Sequence, residues 1–165
     1  MPLSQKMMPA TVFTAAGSKR KLDLRHLPAP TLLLFHDQHA AETATAINLA
    51  VRQKLPAATQ ILIGSVPDLS GVPRLFRGVA QAAMDKGYRD GATQMSAGYD
   101  PADYILILPD WDGSVTKFTG FANLGSAPGV LLVGQDGAVL GQAQGTNPTA
   151  DVIELLVRAG LVMPG

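Results

Sequence analysis

Residues 127–139 read APGVLLVGQDGAV, and this stretch decides the fold. The apolar run 130–133 is typical of a strand, and 138–141 offers a second strand. Between them stands the pair Asp136-Gly137, which favours a hairpin because such turns require a positive φ that glycine adopts freely. The stretch therefore predicts an antiparallel pair of strands.

Three earlier apolar runs are typical of strands that are buried on both faces. They are TLLLF at 31–35, QILIG at 60–64, which Val66-Pro67 closes, and YILIL at 104–108. The segments between them show the helical period. Ile47, Val51 and Leu55 recur every four residues in a helix predicted over 40–55, with Pro56 marking its end.

A second helix is predicted after Pro73 and should end at Gly87. It is expected to bury a wide face, because its apolar residues follow the i, i+3, i+4, i+7 rule. They are Val72, Leu75, Phe76, Val79, Ala80, Ala83 and Met84. The polar stretch 86–100 is expected to be an exposed connection.

Two shorter helical segments complete the pattern. One is predicted over 114–121, and a closing helix runs from Asn147 to Arg158 with an N-cap before it and Gly160 after it. A β-α-β-α-β order followed by a hairpin and a helix predicts an α/β fold with a mixed sheet between helices. We expect a single domain over 1–165, with an N-terminal hairpin at about 10–25 and a core at about 30–160.

The composition excludes several classes of function. Thirteen basic residues balance thirteen acidic ones, so neither nucleic acid nor a membrane is an expected partner. The short basic run 18–21 predicts a solvated hairpin turn. Apolar runs fall far short of the roughly 20 residues of a membrane span. Residues 1–10 lack a continuous apolar stretch after their positive charge, so we expect no secretory signal and a cytoplasmic location.

The chain contains no cysteine. It therefore offers no disulfide, no thiolate zinc site and no sulfur nucleophile. The glycines at 134–145 have the spacing of residues in hairpin turns, and this spacing does not match a phosphate-binding loop. No cofactor and no catalytic residue are predicted.

Three segments of the sequence together resemble the thioredoxin-like superfamily, and the resemblance covers about residues 8–157. They are the hairpin at 12–24, the strand at 30–35 and the stretch 127–139. Within the superfamily, the chain is similar to TlpA-like proteins and to peroxiredoxins of the alkyl hydroperoxide reductase type. The resemblance implies a three-layer α/β/α fold. It also places Pro128 at the family's cis-proline, and whether the Ala127–Pro128 bond is cis stays open.

The same resemblance places the family's two-cysteine motif on residues His39, Ala40, Ala41, Glu42 and Thr43. Ala40 and Thr43 stand where the two thiols would be. Because a thiolate is the attacking species in disulfide exchange and in peroxide reduction, these positions are vestigial. Glu42 is explained by the positive end of the helix dipole. Thr43 would need a base such as His39 to act as a nucleophile, and no oxyanion group can be named for it.

A binding groove is predicted around His36, Trp111, Ala127 and Pro128, because open α/β sheets bind ligands at the carboxyl ends of their strands. Trp111 either anchors a partner or covers the edge of its own core. His36 and His39 could ligate a metal with Asp110 or Asp112 nearby, but two imidazoles alone fall short of the three or four ligands of a zinc site. No metal is therefore predicted.

Three functions stay open. The first is a redox-inactive thioredoxin-like module that binds a protein, a peptide or its own copy, and the apolar composition is compatible with a homodimer. The second is an oxidoreductase or antioxidant protein of the redoxin group whose thiols were lost or replaced. The third is a metal-binding module that uses His36 and His39.

Overall fold

A computed structural model describes residues 6–37, 41–145 and 147–164. Two short strands come first, β1 (Val12–Thr14) and β2 (Lys21–Asp23). The central elements are β3 (Thr31–His36), α1 (Ala41–Lys54), β4 (Leu62–Pro67), α2 (Arg77–Thr93), α3 (Pro101–Tyr104) and β5 (Leu106–Ile107). The last four are α4 (Ser114–Thr119), β6 (Gly129–Val133), β7 (Val139–Gln144) and α5 (Pro148–Arg158).

Five strands form one mixed sheet in the order β5-β4-β3-β6-β7. Strands β3, β4 and β5 run parallel, whereas β6 is antiparallel to both β3 and β7. The β6–β7 connection is the predicted hairpin, with Gly137 at a φ of 90° and a hydrogen bond of 2.8 Å from Gly134 N to Ala138 O. The mixed sheet and its antiparallel end are thus confirmed.

Strand β3 is buried along its whole length and separates two apolar layers. Leu32 and Leu34 pack with α1 and α5, whereas Leu33 and Phe35 lie on the opposite side, in the cluster that includes the β1–β2 hairpin. The alternation follows from the period of two along a strand. No helix in the described part of the chain is long and apolar enough to cross a bilayer.

The remaining elements form close to where their local sequence signals predict them, with small shifts in their bounds. Helix α5 has the Asn147 side chain accepting from Ala150 N as its N-cap. The basic run 18–21 lies at the turn of the β1–β2 hairpin and the start of β2, as predicted. Val66 and Pro67 belong to β4, because the strand continues beside β3 up to His36. The run 104–108 contributes only Leu106 and Ile107 to the sheet.

The expectation for the second helix is wrong in two respects. It begins with a 3-10 turn at Arg74–Phe76 and continues as α2 to Thr93, so only 94–100 is the exposed connection. None of its residues is buried, and Leu75 is 90% exposed. The reason is that the β1–β2 hairpin and the residues after it already cover this face of the sheet. Helix α2 therefore packs beside them and not over the sheet.

We expect Leu33→Ala to lower the free energy of unfolding by about 2–5 kcal/mol, because it opens a cavity beneath the hairpin at a fully buried position. Urea denaturation followed by circular dichroism measures this loss. Leu49→Ala is the matched control, since Leu49 is 63% exposed on α1. Equal losses in the two variants would contradict the assignment of β3 as the central strand.

Candidate functional site

The carboxyl ends of β3, β4 and β5 meet at one edge of the sheet. Asp37 follows β3, Asp68 follows β4, and Asp110 lies three residues beyond β5. A β-bridge joins Asp68 to Asp110, with Leu69 N donating to Asp110 O at 3.1 Å. The parallel register therefore brings three carboxyl groups to the same edge, where ligands of open α/β sheets are usually bound.

A cleft of about 250 Å³ opens at this edge. It is lined by Asp37, Asp68, Thr116 and the loop 121–125. Asp68 is oriented by its neighbour, because its Oδ1 accepts from Ser70 N at 3.1 Å and from Ser70 Oγ at 2.8 Å. A Cβ at Gly125 would come within 2.7 Å of Asp37 Oδ2, so the loop lies directly against this carboxylate. We call this space the carboxyl-edge cleft.

Asp110 stabilises the cleft indirectly, through its contact with the lining residue Thr116. It is 3% exposed, and its Oδ2 accepts from Thr116 N at 2.8 Å and from Thr116 Oγ1 at 2.7 Å. A buried carboxylate with two such donors holds the first turn of α4 in place. The exposed Asp112 accepts from Ser114 N at 3.0 Å, and this bond holds the pKa of its carboxyl below the usual value.

His36 is buried at the end of β3. Its Nδ1 lies 2.6 Å from Asp37 O, and because a carbonyl only accepts, Nδ1 carries the proton. Nε2 is buried and has no hydrogen-bond partner among the described residues. By strand alternation, the ring shares the layer of Leu32 and Leu34. It therefore lies on the opposite side of the sheet from the Asp37 carboxylate.

The vestigial motif is described only in part. His39 and Ala40 lie outside the described residues, and α1 begins at Ala41. Glu42 is exposed in the first turn and Thr43 is half-buried. The role of these five positions stays a prediction.

Trp111 does not project freely. It is half-buried, its carbonyl lies 3.5 Å from an Arg77 guanidinium nitrogen, and the guanidinium carbon lies 5.7 Å from the ring centroid. Trp111 therefore packs against the start of α2, as expected of a side chain that covers its own domain's edge.

Pro128 is buried and Ala127 is half-buried beside it. The Ala127–Pro128 bond is trans, since none of the peptide bonds described is cis. Trans is the intrinsic preference of such bonds. Gln144 Nε2 of β7 also holds the Ala127 carbonyl at 2.7 Å. The same amide donates to Ala122 O, so β7 anchors the loop that walls the carboxyl-edge cleft.

Metal ligation finds no support in the described segments. They hold no group of three or more histidine, aspartate or glutamate side chains able to bind a metal ion together. His36 Nδ1 is already engaged by the Asp37 carbonyl, and His39 lies outside these segments. A wide, shallow depression of about 770 Å³ lies elsewhere, where residues 25–28 meet Gln135 and Asp136 of the β6–β7 turn. It contains none of the predicted site residues.

Sequence reasoning missed two parts of the site. Asp68 was overlooked because the second apolar run was expected to end before Val66. The loop 121–125 carries no motif, and its place against Asp37 depends on Gln144. The only available signal was the occurrence of an aspartate directly after β4 and shortly after β5.

No family model matches the chain, and no curated protein matches its sequence. Solved structures do share its fold. An uncharacterized thioredoxin-like protein from Porphyromonas gingivalis has a TM-score of 0.59 at 16% identity, with 96% of this chain and 93% of that chain covered. A thiol-disulfide oxidoreductase from Bacteroides fragilis has a TM-score of 0.56 at 15% identity, with 92% and 100% covered.

Peroxiredoxin Q from Xanthomonas campestris is also similar, with a TM-score of 0.55 at 13% identity over 94% of this chain and 97% of that chain. At these identities the likeness concerns the fold alone. The chain therefore has the thioredoxin-like fold, in agreement with its mixed five-stranded sheet, and it has that fold without any cysteine.

We expect Asp110→Ala to lower the free energy of unfolding by about 1–3 kcal/mol, because two buried donors of Thr116 lose their acceptor. Thermal and urea denaturation measure the loss. Asp112→Ala is the control, because Asp112 also accepts from a backbone N–H of α4 but is exposed. A larger loss in the control would show that Asp110 does not hold this edge.

Proposed function

We propose that this thioredoxin-like domain is a redox-inactive binding module that takes an extended protein or peptide segment at the carboxyl-edge cleft. The observation that carries the proposal is the cleft itself, which lies at the sheet edge and is walled by Asp37, Asp68 and the loop 121–125. A domain that has such a cleft and no thiol can bind a protein or peptide segment without reacting with it.

The lining of the cleft supports a preference among segments. Asp37 and Asp68 present carboxylate oxygens, whereas the half-buried Phe121 presents apolar surface. Lysine and arginine side chains donate strong, charge-assisted hydrogen bonds to carboxylates. A segment in which a basic side chain stands next to an apolar one therefore fits the cleft best.

The absence of cysteine argues against the oxidoreductase alternative. Thiol exchange and peroxide reduction by this fold proceed through a thiolate, and the chain has no cysteine to supply one. Thr43 has a hydroxyl at one of the two vestigial positions, but an unactivated hydroxyl cannot replace a thiolate.

Selection from a displayed library of random linear peptides tests the binding function. The intact domain is expected to enrich basic-apolar segments, and Gly125→Val is expected to lose them at least tenfold, because a side chain at 125 meets Asp37 and fills the cleft. Asp37→Asn should weaken the basic preference through loss of the charge. Enrichment ratios by sequencing give the measurement.

The matched control is Gly71→Val, another exposed loop glycine, at which an added Cβ would meet no atom within 4 Å. It should enrich the same peptides as the unaltered domain. Failure of the unaltered domain to enrich any segment, or equal enrichment by Gly125→Val, would overturn the proposal.

The unaltered protein is expected to reduce neither insulin disulfides nor hydrogen peroxide above the blank, because it lacks the attacking thiolate. Insulin turbidity with dithiothreitol and peroxide consumption measure this. Turnover that Thr43→Val abolishes and Thr59→Val leaves intact would instead establish a reaction without cysteine at the vestigial motif.

A further inference from the structure

A row of three residues crosses the sheet beside Phe121, an aromatic residue of the cleft wall. Gly129 of β6 lies opposite Phe35 of β3 on one side and opposite Gln144 of β7 on the other. Residues directly opposite each other in antiparallel strands point to the same face of a sheet. We call Phe35, Gly129 and Gln144 the cross-strand row. Other residues line the carboxyl-edge cleft, so the row acts on the cleft only through what it holds in place.

The ring of Phe121 lies over the glycine of this row. A Cβ added at Gly129 would overlap with the ring, so the ring takes the place of a side chain at 129. The ring also contacts Phe35, with 5.7 Å between the two centroids and 57° between the planes, a geometry that aromatic pairs favour. The φ of Gly129 is not positive. The backbone there does not require glycine, and the closeness of the ring does.

Gln144 fixes the backbone next to this ring. Its Nε2 donates to Ala122 O at 2.6 Å, and its Oε1 accepts from Ala122 N at 3.4 Å, so one amide binds both backbone groups of the residue after Phe121. The same Nε2 donates to Ala127 O at 2.7 Å. Gln144 is exposed, so packing in the core does not account for its role. Its amide ties the segment 122–127 to β7.

We infer that the cross-strand row sets the apolar half of the peptide preference of the carboxyl-edge cleft by positioning Phe121, an inference that rests on the function proposed above. Phe121 is the specificity-determining residue, because its ring presents the apolar surface to the segment. Gly129 and Gln144 are positioning residues that act through this ring and touch no ligand themselves.

The basic half of the preference has a separate origin. Asp37 and Asp68 directly follow β3 and β4, so the parallel strands place these carboxylates in the cleft. The ring of Phe121 depends instead on the antiparallel strands β6 and β7. A change in the row is therefore expected to alter selection of the apolar residue and to leave selection of the basic residue unchanged.

Selection from a displayed library of random linear peptides, read by sequencing, tests this separation. Phe121→Ala, Gly129→Ala and Gln144→Ala are each expected to lower the enrichment of an apolar residue beside the basic one by roughly tenfold or more, the scale on which apolar pockets discriminate. The preference for the basic residue should persist in all three. A merely structural role of the row would lower both preferences together.

A double variant shows whether Gly129 acts through the ring. Gly129→Ala in the Phe121→Ala background is expected to change nothing further, because no ring is left for the added methyl group to displace. Urea denaturation of the same set gives a readout independent of peptides. Gly129→Ala should lower the free energy of unfolding of the unaltered chain and not that of the Phe121→Ala variant.

Gly71→Ala is the control, since an added Cβ at this loop glycine meets no atom within 4 Å. Circular dichroism checks folding, and the exposed Gln144 provides a second variant if Gly129→Ala does not fold. Unchanged apolar enrichment in the row variants, or equal loss of both preferences, would overturn this inference and leave the proposed function standing. Failure of the unaltered domain to enrich any segment would overturn both.

Discussion

Both faces of strand β3 have to be covered, and the rest of the fold follows from that requirement. Its six residues are buried, and each of its edges is paired with another strand. Leu32 and Leu34 require one apolar layer, which α1 and α5 provide. Leu33 and Phe35 require a second layer on the other side. The chain supplies it with the β1–β2 hairpin, which sets where every later element can pack.

The same strand positions the chemistry of the site. Because β3, β4 and β5 are parallel, the residues that follow them come to one edge, and three carboxyl groups collect there without any shared motif. One of them, Asp110, has a structural role, because its carboxylate accepts two hydrogen bonds from Thr116. Asp37 and Asp68 face the cleft. The carboxylates thus lie where the parallel strands end, in a thioredoxin-like fold that has no cysteine.

The sequence predicts well those features that depend on neighbours along the chain. The β6–β7 hairpin was foreseeable from Asp136-Gly137, and α5 from its Asn147 cap. Features that depend on distant contacts were not. Gln144 of β7, for example, holds the Ala127 carbonyl at 2.7 Å, and no local pattern indicates this contact. Likewise, the loop 121–125 is anchored at Ala122 by the same amide of β7.

Helix α2 shows why amphipathic periodicity alone does not identify a buried face. The apolar residues at 72–84 do recur with the helical period, but this shows only that one side of the helix is apolar. Which side is buried depends on what already covers the sheet. Here the hairpin occupies the sheet surface, so α2 is held by Tyr88, Asp85 and Arg77, which are polar or amphipathic contacts. The apolar side then faces outward. A side of a helix that the domain has no room to bury therefore stays exposed, although its apolar period is that of a core helix.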